Sequence, residues 1–358
     1  SALLSHSWEQ GQLSFGSFDY RYAGLTDAIA DTHLAGSRLD ARVQLAPGST
    51  LLAEARHTER YGGTQYRNLF DGQATTLLHR NLSDLGRVAL RHELGEGDEI
   101  LVEANTQRFR ELQKDYFQFN SMGYGLELDI NSEVLTQQRS RGLSALYTRQ
   151  RESLGLGAGA TFARLSGTQD IGATAALSAD PNMVLDTIKL PTRPIKTDRD
   201  TAFGYAQWRL NPVLTVHGGA DYVRFEDPGR SQAERINGKL GAVLRPSVGT
   251  SLRAAIFQGV SGSRYDAENL APTQFAGFNQ IFDDISGTRW RRAAVAMERN
   301  LSNGLSGGLE ASWRWLDAPT VDPGARITYH LEDWKERLHR AHLALPFGRH
   351  AMLSAEWR

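Results

Sequence analysis

The chain contains no cysteine among its 358 residues, so it has neither a disulfide framework nor a thiolate metal site. No stretch approaches the ~20 apolar residues that a membrane-spanning helix requires. Proline is scarce, with 11 residues, and the formal net charge of −1 gives no support for a nucleic-acid partner. The mean hydropathy of −0.43 fits a soluble protein and fits equally a membrane barrel, in which half of each strand faces water.

The sequence does have a two-residue period. In the stretch LDARVQLAPGSTLLAEARHTERY, apolar residues such as Leu39 and Val43 alternate with charged residues such as Asp40 and Arg42 on both sides of a Pro-Gly turn. Successive side chains leave opposite faces of an extended strand. The stretch therefore predicts a β-hairpin with one apolar face and one charged face.

The same pattern recurs in eight hairpins, which predicts sixteen strands. These hairpins cover residues 2–22, 39–61, 87–109, 142–165, 201–225, 236–257, 291–316 and 337–358. Short turns close the hairpins, whereas long polar stretches join one hairpin to the next. These stretches are residues 23–36, 62–84, 111–139, 166–199, 226–235, 259–287 and 317–333.

This strict alternation of short turns and long loops is typical of outer-membrane barrels. We therefore predict an all-β fold, a sixteen-stranded antiparallel transmembrane β-barrel with short periplasmic turns and long extracellular loops. We expect residues 1–358 to form a single outer-membrane β-barrel domain. No helix-period segment with caps on both ends, and no blade repeat of a propeller, occurs in the chain.

The two faces of the predicted strands differ in chemistry. We expect lipid to contact the apolar residues Val88, Leu90, Ile100, Val102, Leu154, Leu156, Leu214, Val216, Leu240, Ala242, Leu252, Ala254, Leu309, Ala311, Leu343 and Leu353. Aromatic residues near strand ends are typical of interfacial girdles. They are Tyr22, Tyr61, Trp208, Tyr222, Trp290, Trp313, Trp315 and Trp357.

The opposite face is charged, and a sixteen-stranded barrel is too wide for side chains to fill, so this face is expected to line a water-filled pore. The predicted pore-lining residues are Arg38, Asp40, Arg42, Glu54, Arg56, Arg87, Arg91, Glu93, Asp221, Arg253, Glu310, Arg314 and Arg340. The same face also carries Arg60, Glu103, His217, Lys239, Arg292, Glu298, Glu336, His342 and Glu356. Interleaved acids and bases predict either a paired, solvated wall or a weakly anion-tolerant filter.

No constellation typical of an enzyme occurs, since the chain has neither a Gly-x-Ser-x-Gly elbow nor a His-Glu-x-x-His motif. We therefore predict a non-enzymatic protein without catalytic residues, cofactor or metal site. The Gly-rich stretch GLGAGA lacks the Lys-Ser/Thr of a phosphate-binding loop. Its glycines, Gly155, Gly157 and Gly159, share one face of a strand and are better explained as room for close packing.

The loop NLAPTQFAGFNQIFDDISG, residues 269–287, differs from the others because it mixes phenylalanines with amides and acids. We predict that it either folds inward and constricts the pore or caps the neighbouring loops. Its aromatic and amide groups suit sugar binding or packing. The predicted constriction residues are Gln274, Phe275, Phe278, Asn279, Asp283 and Asp284.

Three stretches carry a resemblance to a known family: INGKLGAVLRPSVGTSLRAAIFQG, PTQFAGFNQIFDDISGTRWRRAAVAMERNLSNGLSGGLEASWR and ERLHRAHLAL. They resemble the C-terminal barrel of large bacterial outer-membrane proteins with periplasmic tetratricopeptide repeats. The resemblance is clearest from about residue 202 to the end. It implies export of an exopolysaccharide, such as poly-N-acetylglucosamine, cellulose or a Pel-type polymer, and a similar protein serves as a phage adsorption receptor.

The resulting expectation is a bacterial outer-membrane channel for passage of a secreted polysaccharide. The alternatives are a general small-solute porin, a phage or ligand adsorption receptor, and a soluble carbohydrate-binding β protein. Outer-membrane lipid, polysaccharide or small solutes, and a periplasmic repeat scaffold or secretion partner are the expected partners. No 34-residue helical period occurs in the chain, so we expect any such repeats to precede Ser1.

The assignment of the faces predicts unequal effects of substitution. Leu90→Arg or Val216→Arg places a charge in the lipid at mid-membrane, at a cost of ~2–4 kcal/mol of folding free energy in barrels. Arg42→Leu on the predicted water face is expected to cost little. Urea titration of the protein folded into lipid vesicles measures the three costs, and the reverse order of sensitivity would show that the faces are exchanged.

Overall fold

The structure is a computed structural model, and it describes residues 2–8, 10–22, 32–67, 74–121, 126–177, 180–228, 231–262, 270–282, 284–301, 304–322, 328–347 and 351–357. Within these ranges the chain is all-β. No helix among the described residues is long and apolar enough to cross a membrane.

Nineteen strands occur in the described residues. They are β1 (Ala2–Trp8), β2 (Gly11–Tyr22), β3 (Thr32–Ala46), β4 (Ser49–Arg67), β5 (Ala74–Gly95), β6 (Asp98–Ser121), β7 (Leu126–Gln150), β8 (Leu154–Leu177), β9 (Asp180–Lys189), β10 (Arg193–Arg209), β11 (Leu214–Asp227), β12 (Ser231–Ser247), β13 (Thr250–Val260), β14 (Gln274–Phe275), β15 (Phe278–Asn279), β16 (Arg289–Asn300), β17 (Ser306–Asp322), β18 (Thr328–Phe347) and β19 (Ala351–Trp357).

The described strands include one antiparallel sheet of seventeen, rather than the sixteen predicted. The additional strand is β9, which falls in a stretch predicted as a loop and pairs with β8 through Gly172↔Lys189 and Thr174↔Thr187. The prediction missed β9 because its sequence, DPNMVLDTIK, contains a proline and only a short alternation. The short strands β14 and β15 form a separate two-stranded sheet.

Several strands extend far into stretches predicted as long loops. Strand β6 has 24 residues and β7 has 25, so that most of residues 111–139 is strand. At ~3.3 Å per residue, 24 residues span about 80 Å, which exceeds the ~25 Å apolar band of a membrane barrel. The prediction ended these strands early because it required an apolar face along every strand.

The chain divides into two compact units. The first comprises residues 1–91, 103–142 and 164–196. In it, β3 and β4 form the hairpin predicted around Pro47 and Gly48, and Gly48 adopts a positive φ of 74° in the turn. The register places Asp40 opposite Glu54. The hairpin therefore has the charged face and the apolar face that the sequence predicts.

The second unit comprises residues 92–102, 143–163 and 197–358. Its antiparallel ladder runs through β10, β11, β12, β13, β16, β17, β18 and β19, with one register shift between Leu244 and Ser247 of β12. We call its two surfaces the apolar face and the charged face. The apolar face includes Leu240 opposite Ile256 and Met297 opposite Leu309. The charged face includes Arg314 opposite Glu336.

No part of the described chain covers much of the apolar face of the second unit. Leu240 is 58% exposed, Ile256 is 59% exposed and Leu309 is 63% exposed. Tryptophans 313 and 315 also project from this face of β17 and are exposed. Contiguous exposed apolar surfaces of this kind are rare on monomeric soluble proteins, and they typically mark contact with a membrane or a partner.

Trp290 does not lie with these aromatic residues, contrary to the girdle prediction. It pairs with Gly259 and Leu316 on the charged face and is only 4% exposed. Its indole packs edge-on against the ring of Phe257, with the ring centroids 5.7 Å apart. Its position near the start of a strand suggested a place at the membrane interface. Side chains alternate between the two faces along the strand, however, and that of Trp290 falls on the charged face.

The turn between β12 and β13 provides a stability test. Gly249 has a φ of 80°, which other L-residues adopt only at a cost, and an added Cβ would overlap the carbonyl oxygen of Asn300. Gly249→Ala is expected to lower the free energy of unfolding by ~1–3 kcal/mol. The matched control is Gly238→Ala in β12, where a Cβ would meet nothing within 4 Å. Equal unfolding midpoints in urea for the two variants would contradict the prediction.

Candidate functional site

The 270–288 segment connects β13 to β16 and contains the small β14–β15 hairpin. Gln274 pairs with Asn279 and Phe275 with Phe278. The chain reverses at Ala276 and Gly277, whose φ values are 48° and 81°. Two consecutive residues with positive φ are typical of the tight turns that join hairpin strands. The segment is therefore ordered by its own backbone as well as by its surroundings.

An apolar cluster anchors this hairpin to the charged face of the sheet. The segment contributes Phe275, Ala276 and Phe278, which are buried, and the partly buried Phe282. The sheet contributes Val243, Ala255, Phe257, Trp290, Ala294, Ala296 and Leu316. Gly241 of β12 leaves the space for the turn, because a Cβ there would lie 2.7 Å from the Cβ of Ala276. The segment thus packs on the charged face of the sheet.

Arg292 is the most deeply buried of the charged groups in this contact, with 3% exposure. It donates from Nη1 to the carbonyl oxygen of Asn279 at 3.0 Å. It donates from Nη2 to Glu310 at 2.6 Å and to the hydroxyl of Ser312 at 3.0 Å. Its guanidinium carbon lies 5.3 Å from the centre of the Phe282 ring. One side chain therefore joins the sheet to both the backbone and an aromatic ring of the segment.

Arg314 makes the ionic contact with the segment. It donates from Nη2 to Asp284 at 2.6 Å and from Nη1 to Glu336 at 2.6 Å. Its guanidinium carbon lies 3.7 Å from the centre of the Phe282 ring, which is a close cation–π contact. Ser261 donates a further hydrogen bond of 2.7 Å to Asp284. Asp284 is therefore held by β17 and by the residue that follows β13.

The register places Arg292 directly opposite Arg314 on the charged face. Like charges opposite each other on a sheet are destabilising unless each is neutralised. Glu310 neutralises Arg292, whereas Glu336 and Asp284 neutralise Arg314. One of the three carboxylates comes from the segment, so the segment completes the charge balance of this face.

Arg253 binds the turn of the hairpin. It donates from Nη1 to the carbonyl oxygen of Gly277 at 2.8 Å and from Nη2 to Glu298 at 2.5 Å. Its guanidinium carbon lies 5.3 Å from the centre of the Phe278 ring. Arginines on three consecutive strands of the ladder, β13, β16 and β17, thus contact the segment.

Lys239 forms a fourth contact on the same face. Its Nζ lies 2.5 Å from Oε1 of Gln280 and 2.7 Å from Asp221. Asn237 donates a hydrogen bond of 2.6 Å to the same carboxylate. The amide nitrogen of Gln280 donates to the carbonyl oxygen of Pro272 at 3.1 Å. The amides of the segment therefore serve to fix it, as the phenylalanine rings do.

A second ionic cluster lies in the first unit. Arg38 binds Asp40 at 2.8 Å and Glu54 at 3.3 Å. Arg87 binds Glu54 and lies 3.8 Å from Glu103. Glu54 and Glu103 are only 8% and 4% exposed. The acids and bases of this cluster are therefore paired with one another.

The structure brings most of the predicted site residues into these two clusters. Arg340 instead pairs with Glu356 at 2.8 Å. Arg42, Arg56, Arg91 and Glu93 lie on β3, β4 and β5, and Arg56 stands directly opposite Arg38 in the register. In the segment, Phe275 and Phe278 are buried, Gln274 is exposed, and Asn279 binds the backbone of Ile281. Asp283 lies outside the described residues.

Selection from the sequence missed Arg292, Lys239, Phe257 and Phe282. The first two lie on the charged face of the pattern but were not selected as site residues. Arg292 could have been selected from the sequence, since the alternation places it on the same face as Arg253 and Arg314 of the neighbouring strands. Among the residues that the structure describes, no group of three or more potential metal ligands occurs.

No family model and no curated protein matches the chain. Solved structures do match in fold. The siderophore receptor PiuA from Acinetobacter baumannii has a TM-score of 0.69 and 11% identity, over 99% of this chain and 60% of that chain. The ferripyoverdine receptor of the Pseudomonas aeruginosa outer membrane has a TM-score of 0.68 and 10% identity, over 99% of this chain and 52% of that chain.

The copper transporter OprC has a TM-score of 0.63 and 12% identity, over 98% of this chain and 57% of that chain. The chain thus spans only about half to three fifths of the length of the solved structures it matches. At these identities the likeness concerns the fold. The three solved structures are two receptors and a transporter, and the likeness shows that this chain shares their fold.

Loss of one arginine is expected to loosen the segment. Arg314→Gln removes the ionic contact with Asp284, and a hydrogen bond to a charged group contributes ~1.5–3 kcal/mol. We expect hydrogen exchange at the amides of Gln280 and Gly287, which bond to Thr273 and Ser261 in the structure, to accelerate about tenfold or more. Mass spectrometry of peptides from residues 270–288 measures this.

The matched control is Arg340→Gln, which removes an arginine from the same face that pairs with Glu356 and not with the segment. Exchange in residues 270–288 should stay at the wild-type rate in this control. Equal acceleration in both variants would mean that the whole ladder had loosened, and no acceleration in Arg314→Gln would remove the proposed anchor.

Proposed function

We propose that this chain closes into a transmembrane barrel of the bacterial outer membrane and forms a non-enzymatic passage that the 270–288 segment narrows. The observation that carries the proposal is the fixation of this segment on the charged face by Arg253, Arg292 and Arg314. The apolar face then contacts lipid and the charged face contacts water.

The uncovered apolar face supports the membrane part of the proposal. A soluble carbohydrate-binding protein, which the sequence allowed, would have to expose Leu240, Ile256, Leu309 and Leu343 to water. Burial of apolar area is worth roughly 25 cal/mol per Å², so a belt of such residues is strongly stabilised by lipid. The fold likeness to outer-membrane receptors and transporters is in agreement with this.

The contacts of the segment support the constriction. A loop that served only as a cap would have no need of buried arginine contacts on the charged face. The segment is instead bound by hydrogen bonds to its backbone at Gly277 and Asn279 and by the ion pair at Asp284. The buried rings and the amides bonded within the segment support its role as a fixed element of the proposed passage.

We propose a secreted polysaccharide as the leading cargo. The resemblance to the barrels of tetratricopeptide-repeat export proteins supports it, as do walls whose acids and bases are paired. A polymer without strong charge can pass such walls without being trapped. The periplasmic repeat scaffold or secretion partner belongs to the same proposal, since an export passage receives its polymer from the periplasmic side.

The second candidate is uptake or reception of a small ligand. It is favoured by the fold likeness to the siderophore receptor and the copper transporter. The two candidates differ in what the isolated protein does. A receptor binds its ligand at low concentration, whereas an export passage is indifferent to siderophores and copper.

Replacement of residues 272–284 tests the constriction. A Gly-Ser stretch of equal length removes the anchors and keeps the connection, and the barrel is expected to fold and to resist heat in detergent. We expect a higher single-channel conductance in planar bilayers, because the passage is no longer narrowed. The control replaces the exposed residues Ile281 and Ile285 alone with serine, which leaves the arginine contacts in place. Conductance equal to that of the wild type after the full replacement would refute the constriction.

A further inference from the structure

A cavity of about 320 Å³ lies beside the 270–288 segment in the second unit. Its size is at the small end of ligand pockets, ~300–1,000 Å³. Strands β7, β8, β10, β11 and β12 contribute to its lining, and so does the β14–β15 hairpin with its turn. The residues used below are Gln150, Phe203, Tyr205, Gln207, Gln274 and Gln280, all of which line it.

The glycines of β8 shape the floor of this cavity. A Cβ at Gly157 would overlap the ring of Tyr205, and a Cβ at Gly159 would lie 2.5 Å from Cζ of Phe203. A Cβ at Gly155 would lie 2.8 Å from Oε1 of Gln150. The alternating glycines therefore let two aromatic rings and one amide lie directly on the backbone of the neighbouring strand.

The two rings form a flat surface. The planes of Phe203 and Tyr205 differ by 12°, and their centroids are 6.4 Å apart. Phe203 is buried, whereas Tyr205 is partly exposed and lines the cavity. Because one face of the Tyr205 ring covers glycine, the other face is available to the cavity.

The polar groups around this surface are mostly uncharged. Gln207 and Gln274 expose amide groups, which can both donate and accept hydrogen bonds. Lys239 and His217 also line the cavity, and Lys239 is paired with Asp221 and bonded to Gln280. An aromatic face combined with amides and a neutralised cation suits a ligand with an apolar C–H surface and many hydroxyl groups. A pyranose ring has both.

We propose that this cavity binds one or two pyranose rings of a neutral polysaccharide, with Tyr205 as the stacking platform and Gln207 and Gln274 as hydrogen-bonding groups. The proposal deepens the proposed function and depends on it for the direction of transport only. It also assigns a role to the alternating glycines of β8. They hold the platform flat against the strand so that a polymer can slide past it.

Isothermal titration calorimetry of the full chain in detergent tests this site with cellohexaose and chitohexaose as probes. We expect saturable binding of at least one of them, with a dissociation constant of order 1 mM or below. Tyr205→Ala is expected to weaken binding about tenfold or more, since removal of an aromatic anchor removes most of the local affinity. Tyr205→Phe keeps the ring and should restore most of that loss.

Gly157→Ala provides an independent test that leaves Tyr205 in place. The added methyl group displaces the ring, which is the free end of a side chain, and alanine is tolerated in a strand. Binding should weaken as in Tyr205→Ala, while thermal stability stays near that of the wild type. Trp208→Ala is the matched control, because Trp208 lies on the same strand but projects from the other face. It should bind the probes as the wild type does.

The proposed sugar site would be overturned if neither oligosaccharide gave a heat of binding. It would also be overturned if Tyr205→Ala and Gly157→Ala left the binding unchanged. Binding of tetra-alanine in place of the sugars would overturn it as well, since the cavity would then serve a peptide. The readout separates this proposal from the proposed function. A chain that binds sugar but does not conduct keeps the site and loses the channel, and a chain that conducts without binding does the opposite.

Discussion

A sheet with arginine, aspartate and glutamate on one face and leucine, isoleucine and valine on the other cannot place both faces in the same medium. Charged groups without solvent or partners cost several kcal/mol each, and exposed apolar area costs roughly 25 cal/mol per Å² in water. The second unit meets this constraint with an uncovered apolar face and a charged face whose groups are paired. The position of the 270–288 segment and the shape of the cavity beside it both follow from this division.

Pairing on the charged face decides where the segment lies. Arg292 and Arg314 stand opposite each other, and neighbouring strands supply Glu310 and Glu336 as counter-ions. The segment adds Asp284 and a set of aromatic rings over the guanidinium groups. The same combination of a paired arginine and an aromatic ring therefore recurs on successive strands. The segment is held along its length instead of at a single point.

The two-residue alternation predicted which residues share a face, because it can be read from each strand by itself. The register places Leu240, Leu309 and Leu343 on the apolar face as expected. The ends of long strands were not predictable in the same way, because strands beyond an apolar band lose the contrast between their faces. The contacts of Arg292 and Trp290 with the 270–288 segment depend on the pairing of neighbouring strands and on the fold of the segment, which no single strand encodes.

The central claim is that the charged face contacts water and the apolar face contacts lipid. Because the chain has no cysteine, a spin label can be attached at a single introduced cysteine. His342→Cys and Leu343→Cys are adjacent on β18 and project from opposite faces. In lipid vesicles, the account predicts that the label at 343 collides with dissolved oxygen and that the label at 342 collides with an aqueous nickel chelate. Equal access of the nickel chelate to both labels would contradict it.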